Sequence, residues 1–446
     1  MPWSELPGPE RMERVAVVAP MERLRAVLTA VAASGTVEID LPAGPGAGGR
    51  APAGIDQVGR QMVVDGPVAA ITGWCPALEV PGVRQALAPQ GGALVRLPPP
   101  RWVVPPTLIK SRGVTRSFQP LVDTYGTLPY RDVNPAGVAG LAYVVMFGMM
   151  FGDVGHGLLL LVAGILLRSG RPARLTSLRR LAPFVLGCGV TSTLFGLAYG
   201  EAFGPTGLVP VVWVRPLDHA TMLLAVAVAA GGGLLALSYG LGTVNRWREL
   251  GAWSALMHMS GAAGAALYAG LAVVGAGVWL HHPGLVIAGA VTGGGGFLLG
   301  FAGSFAATTG GGAGALQASI EMLDSTLRMG ANTVSFARLA AFGLTHAALG
   351  DVIWRGTSAL WGRGAGLWVV AALLFLAGNA AAFSLEALVA GVQALRLEYY
   401  EIFSRLFATE GRPFRPWHIP TADSATAGEA PAAHDSAEQE ASCSPG

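Results

Sequence analysis

The 446-residue chain is 52% hydrophobic and only 13% charged, with a mean hydropathy of +0.51, whereas a water-soluble domain carries about a quarter charged residues. This excludes a set of ordinary soluble domains and points to a polytopic α-helical membrane protein. A net charge of +2, with no basic block interleaved with aromatics, excludes nucleic acid as a partner.

Residues 1–133 read as a water-soluble α+β domain. Met1–Arg14 is polar, with Glu5, Glu10 and Glu13, so no signal peptide is expected there and the domain should stay cytoplasmic. Arg14–Pro20 predicts a strand, Met21–Ala33 a helix and Val37–Leu41 a second strand. The Gly/Pro/Ala run that begins at Leu41 predicts a linker over 41–60. A strand over Val68–Gly73, a helix over Val80–Leu87 and a strand over Ala93–Leu97 follow, before a proline-rich exit at Pro98–Pro106.

Residues 134–408 form the membrane domain. The run 250–320 contains no Asp, Glu, Lys or Arg, enough for more than one crossing at about 20 residues each. Eight spans are marked: 135–151, 153–168, 181–203, 219–243, 252–280, 283–307, 316–356 and 366–407, the last two long and tilted. The first two are separated because Gly152, Gly155 and Gly157 surround Asp153 and His156, which predicts a short hairpin rather than one long helix. The arginines at 168, 171, 174, 179 and 180 assign their loop to the cytoplasm, as do Arg246 and Arg248 for a second loop and Arg412 and Arg415 for the C-terminus. Both termini are therefore expected inside. Residues 409–446 are the C-terminal tail, expected to be disordered from about 421.

Several chemistries are absent. Lys110-Ser111 follows Ile109 without a glycine-rich turn, so no P-loop is present and the chain holds no ATP site. There is no HExxH, GxSxG or CxxC, and Cys75, Cys188 and Cys443 are too scattered for a metal site or a disulfide framework. No cofactor is expected.

Charges at bilayer depth cost about 2.5–3.5 kcal/mol each on insertion scales, so those that remain are functional candidates. Arg338 stands in ANTVSFARLAAFGLTHAALG, with His346 eight residues on, about 12 Å along a helix. Asp324 lies fourteen residues before it, about 21 Å away and near the same face of a regular helix. Glu386 and Arg396 stand ten apart in the last span, about 15 Å along its axis. One reading is structural: Arg338 pairs with Glu386, and Arg396 reaches the headgroups. The other is a path for protons or ions around an arginine that keeps its charge. His156 and His219 lie nearer span ends and read as interfacial, and Met149-Met150 as packing.

The stretches FGMMFGDVGHGLLLL (147–161) and SFARLAAFGLTHAAL (335–349) resemble the two signatures of the membrane subunit of V-type rotary ATPases, subunit a or subunit I. FGLAYGEAFG (195–204), NRWRELG (245–251), LRLEYYEIFSRLFATEGRPFRP (395–416) and the approach at 105–135 are similar as well. The resemblance implies an ion-translocating stator subunit, not itself catalytic, beside a proteolipid ring in a bacterial plasma membrane. Peripheral stalk subunits (E/G) and the catalytic A/B head are then its further partners. It implies that Arg338 is the essential arginine, that His346, Glu386, Arg396, Asp324 and Ser335 line the ion path, and that Gly152, Asp153, Gly155, His156 and Gly157 form a structural motif. Arg328 departs from the small or uncharged residue expected at its position. Between the N-terminal strand–helix and the GW-P stretch at 69–82, the family's long arm is replaced by the 41–60 linker. A self-contained secondary transporter predicts an internal repeat, which is not seen, and a degenerate ring scaffold predicts loss of these charges, which are present.

Overall fold

A computed structural model describes residues 9–40, 54–100, 103–110, 115–130, 132–170, 178–361, 366–404 and 411–419. It divides into two compact units, one comprising residues 10–108 with the chain from Arg412 and one comprising 109–411.

The first unit is a small α+β layer. Strand β1 (Met12–Pro20) lies at its centre, and helix α1 (Leu24–Ser34) follows. Next come β2 (Glu38–Ile39), helix α2 (Ile55–Arg60), β3 (Val63–Asp65) and β4 (Val68–Pro76). Helix α3 (Val80–Leu87) and β5 (Ala93–Leu97) complete it. The sheet order is β2-β4-β1-β5, every pairing antiparallel, and β3 also pairs with β4. Val15, Val17 and Ala19 alternate inward at period two. Val27, Leu28 and Val31 form the stripe of α1 that meets them. Helix α2 occupies the end of the predicted linker, and β3 was not expected, its three residues being too few to show a period. The remainder of the linker, 41–53, lies outside the described residues.

The segment after the membrane domain belongs to this unit. Thr107 donates its N–H to the Arg412 carbonyl at 2.7 Å, and Trp417 donates to Val37 at 2.8 Å and joins the core. The buried Glu38 carboxylate accepts from the Arg415 N–H at 2.9 Å and lies 3.2 Å from the Arg412 guanidinium. Residues 411–419 are thus ordered where only a tail was expected; the predicted disorder from 421 falls outside the described residues.

Burial, followed by the charges of Glu79 and Glu13, pushes the Cys75 thiol from 9.0 up to about 12. In a Cys443→Ser background, native protein at pH 8 is therefore expected to leave Cys75 unmodified by maleimide, whereas denaturant exposes it; mass spectrometry of the native digest checks this. Because the folded value is the higher, the neutral thiol contributes stability that is full below pH 9 and is lost as pH rises toward 12.

The second unit opens with helix α4 (Thr115–Tyr125), then the apolar helices α5 (Ala136–Met150), α6 (Val154–Ser169) and α7 (Ala182–Tyr199). It continues with α8 (Ala220–Leu250), α9 (Ala252–Met257), α10 (Ala262–Trp279) and α11 (Pro283–Ala306). Helices α12 (Gly311–Ser335), α13 (Ala337–Leu360) and α14 (Leu367–Leu397) follow, the last running into a π-helical turn at Glu398–Phe403. Among the described residues, six helical stretches are long and apolar enough to cross a membrane, and α5 and α6 are shorter apolar helices. The chain is a polytopic membrane protein, its eight predicted spans accounted for by these six and two.

Helices α5 and α6 have 15 and 16 residues, about 22–24 Å, short of a hydrocarbon core of about 30 Å. Val144 packs at Gly187 and Gly152 at Tyr199, so α5 runs parallel to α7; Thr193 meets Gly157 and Leu186 meets Gly164, so α6 runs antiparallel to it. The chain therefore reverses at Phe151–Asp153, as the glycine cluster predicts.

The span predicted over 316–356 is interrupted at Phe336, which is fully buried. A Cβ on Gly231 of α8 would stand 2.0 Å from the Phe336 ring, so this glycine makes the seat that fixes the start of α13. Gly231→Ala is expected to cost about 1–3 kcal/mol by overpacking, read as a lower melting temperature of the detergent-purified chain. Gly233→Ala, where nothing lies within 4 Å, is expected not to lower it.

Candidate functional site

Helices α13 and α14 pack antiparallel, with His346 beside Glu386 and Ile353 beside Gly378. Continuing that register carries Arg338 to the level of Gln393–Ala394, so Arg396 lies within one helical turn of its depth. His346 lies about 12 Å further along α13. Arg338, two residues past the Phe336 seat, is half-buried, and its guanidinium forms no ion pair or hydrogen bond among the described residues. Arg396 is exposed, 6.0 Å from the centre of the Tyr400 ring.

Glu386 does not pair with Arg338. Its Oε2 meets Nδ1 of His346 in a short contact, while Oε1 is buried without a partner. His346 is itself buried. The structural ion pair weighed from the sequence is thus not formed, and the carboxylate is satisfied by an imidazole instead.

Asp324 and Ser335 fall elsewhere. Asp324 is exposed on α12 and lies 2.5 Å from Arg328, one turn along the same helix. Arg328, where a small or uncharged residue was expected, therefore pairs with the acidic group expected to line the ion path. The break at Phe336 also removes the angular relation calculated for one regular helix from Asp324 to Arg338. Ser335 is the half-buried last residue of α12.

The break between α5 and α6 supplies a further group of buried polar residues. Asp153, fully buried, caps α6: its Oδ1 accepts from the N–H groups of His156 at 2.9 Å and Phe203 at 3.0 Å, and Oδ2 from Gly204 at 2.9 Å. Phe203 has φ 53°, a left-handed conformation rare for a bulky residue, which the Asp153 bonds hold in place. Val154 also donates to the Glu201 carbonyl at 2.9 Å. Glycine lets the chains approach this closely: a Cβ on Gly152 would strike the Tyr199 ring, one on Gly155 the Phe203 ring and one on Gly157 the Thr193 backbone, all at 2.5–2.6 Å.

His156 was expected at an interface and is instead 3% exposed. It sits among the rings of Phe151, Phe203, Phe383 and His346, with centroids 5.3–5.7 Å away. The position on the first turn after a helix break, not distance from a span end, determines its burial. His219, at the start of α8, is exposed as expected, and Met149 and Met150 are buried in the core. The sequence reading passed over Glu201, which is buried and within electrostatic reach of His346, Asp153 and Glu386. The signal was an acidic residue held between two glycines immediately beyond an apolar helix.

Residues 61–178 match the model of the V-type ATPase 116kDa subunit family. The chain is similar to the A-type ATP synthase subunit I of Pyrococcus horikoshii, 27% identical over 70% of this chain and 47% of that protein. It is 35% identical to the mouse V-type proton ATPase 116 kDa subunit a 2 over 29% of this chain and 17% of that protein. It is also 35% identical to V-type ATP synthase subunit I 2 of Treponema pallidum over 32% of this chain and 34% of that protein. The chain spans about half the length of the subunit I relatives that it matches over most of its own. The match to the V-type ATPase 116kDa subunit family thus covers residues 61–178, and the similarity to the subunit I proteins extends over most of this chain.

Proposed function

We propose that the chain is the ion-translocating stator subunit of a rotary ATPase, forming half-channels against a proteolipid ring, with both termini cytoplasmic and no ATP chemistry of its own. The observation that carries this reading is the guanidinium of Arg338, unpaired among the described residues, within a turn of Arg396 and separated from the buried His346–Glu386 pair by about 12 Å. A structural arginine at bilayer depth would be paired, because the cost of leaving it there is several kcal/mol. One without a partner among the described residues is suited to a carboxylate supplied by another chain.

The chemistry follows from electrostatics. A ring carboxylate moving through lipid is protonated, since desolvation disfavours its charged form. Facing a guanidinium at about 4–6 Å, it is driven to ionise. Arg338 would thus make each carboxylate release its proton before passing, and its fixed charge would block direct leakage between the two half-channels. Glu386, His346 and Arg396 would line the approach on one side. Asp324 and Ser335 would lie on the other, Asp324 with its charge partly offset by Arg328. Gly152, Asp153, Gly155, His156 and Gly157 would hold the α5–α6 reversal against that path. Protons or sodium ions fit this scheme equally, since the ring's site sets the choice.

The test is a detergent pull-down of the full chain with mass spectrometry, paired with ATP-driven acidification in the same membranes. Recovery of a proteolipid ring with A and B subunits, together with acidification, is the expected result, with stalk E/G subunits as further partners. A ring recovered without catalytic subunits would replace the stator by a scaffold, and recovery of neither would favour a self-contained transporter.

A further inference from the structure

The reversal between α5 and α6 brings three metal-ligating side chains from two helices to one buried point. One ligand atom from each of Asp153, His156 and His346 lies within 4.8 Å of the others, and all three residues are buried. Neither ring nitrogen of His156 completes a well-formed hydrogen bond among the described residues, the Asn379 side chain approaching the ring without doing so, and its Nδ1 stands 3.8 Å from Asp153 Oδ1, beyond bonding reach. Two unsatisfied nitrogens on a ring 3% exposed are costly.

The surroundings favour a cation. The carboxylates of Asp153 and Glu386 both lie within electrostatic reach of Glu201, and no arginine or lysine pairs with any of the three among the described residues. Glu386 engages Nδ1 of His346, the carboxylate–imidazole arrangement that orients a ligating histidine and leaves Nε2 free for the metal. The rings of Phe151, Phe203 and Phe383 form a dry wall around the imidazoles, which excludes competing water.

We propose that Asp153, His156 and His346 form a binding site for one divalent transition-metal cation of the Zn²⁺ class. Two imidazoles and a carboxylate are a donor set that such ions prefer, at about 2.0–2.2 Å from each ligand. Closing the spacing onto a cation takes side-chain movements of about an ångström. Mg²⁺ and Ca²⁺, which seek all-oxygen shells, would bind poorly. The site shares His346 and Glu386 with the ion path of the proposed function, so a bound cation would hold that path closed; the binding tests below do not require the chain to move ions.

The test uses the purified full chain in detergent, carrying a tag without histidine. Titration with Co²⁺ is expected to show one tight equivalent with the visible absorption of a low-coordinate site. X-ray absorption of the Zn²⁺ form is expected to show two imidazoles and no sulfur. His156→Phe keeps a ring against Phe151 and Phe203 and is expected to weaken that equivalent by at least about 100-fold; Glu386→Gln, acting through His346, by about 10-fold or more. Unchanged thermal unfolding of the metal-free variants shows that they fold. Absence of a tight equivalent, or undiminished binding by folded His156→Phe, overturns the proposal. Should that variant not fold, the wild-type spectrum decides: a sulfur ligand or fewer than two imidazoles overturns it.

Discussion

Arg338→Ala is expected to abolish ATP-driven acidification by membranes containing the assembled complex, while the protein level and the helical content stay unchanged. A guanidinium at about 4–6 Å lowers a carboxylate pKa by 1–3 units, so its removal shifts the ionised fraction of a facing carboxylate about 10- to 1000-fold. Arg338 makes no ion pair or hydrogen bond within the described chain, so deleting it leaves no buried partner behind and the fold should tolerate the change. Arg338→Lys is expected to fail nearly as badly, because an ammonium can surrender its proton and lacks the planar fork. Arg396→Ala should be milder, since that side chain is exposed beside Tyr400. Acidification by Arg338→Ala at the wild-type rate would remove this residue from the mechanism.

The second large effect falls on stability. Asp153→Ala is expected to destabilise the chain by several kcal/mol, because three N–H groups, of His156, Phe203 and Gly204, lose their acceptor at about 1–3 kcal/mol for each one left buried. It also frees Phe203 from the conformation that Asp153 holds. Asp153→Asn should fall between: the amide oxygen can still accept from His156 and Phe203, but its NH₂ then faces the Gly204 N–H, donor against donor. Thermal unfolding in detergent, with the order wild type, Asn, Ala, is the measurement. Equal midpoints for the three would mean that the α5–α6 reversal does not depend on this cap.

The membrane class, the positions of the helices and the hairpin at Gly152–Gly157 were legible in the sequence, because each rests on local physics. Twenty apolar residues have few alternatives to a helix in lipid, and glycines flanking an aspartate mark a break wherever they occur. The small domain was legible for the same reason where alternation ran five residues or more, as in β1, β4 and β5, and not in the three-residue β3. The candidate charges could also be listed from the chain alone, since a charge at bilayer depth is conspicuous whatever it touches.

Partnership was not legible, because it is decided by register between elements far apart in sequence. The antiparallel packing of α13 on α14 gives Glu386 to His346, forty residues away, and leaves Arg338 unpaired among the described residues. Arg328 takes Asp324 because one helical turn brings them together, yet the sequence could equally have left both to other helices. His156 read as interfacial from its distance to a span end, and only the folding of α6 back along α7 buries it beside His346. Composition and spacing thus determined what this chain is made of and where it crosses lipid. The tertiary packing decided which charges neutralise one another and which remain available, because a few ångströms separate a satisfied carboxylate from a free one and no local pattern encodes that distance.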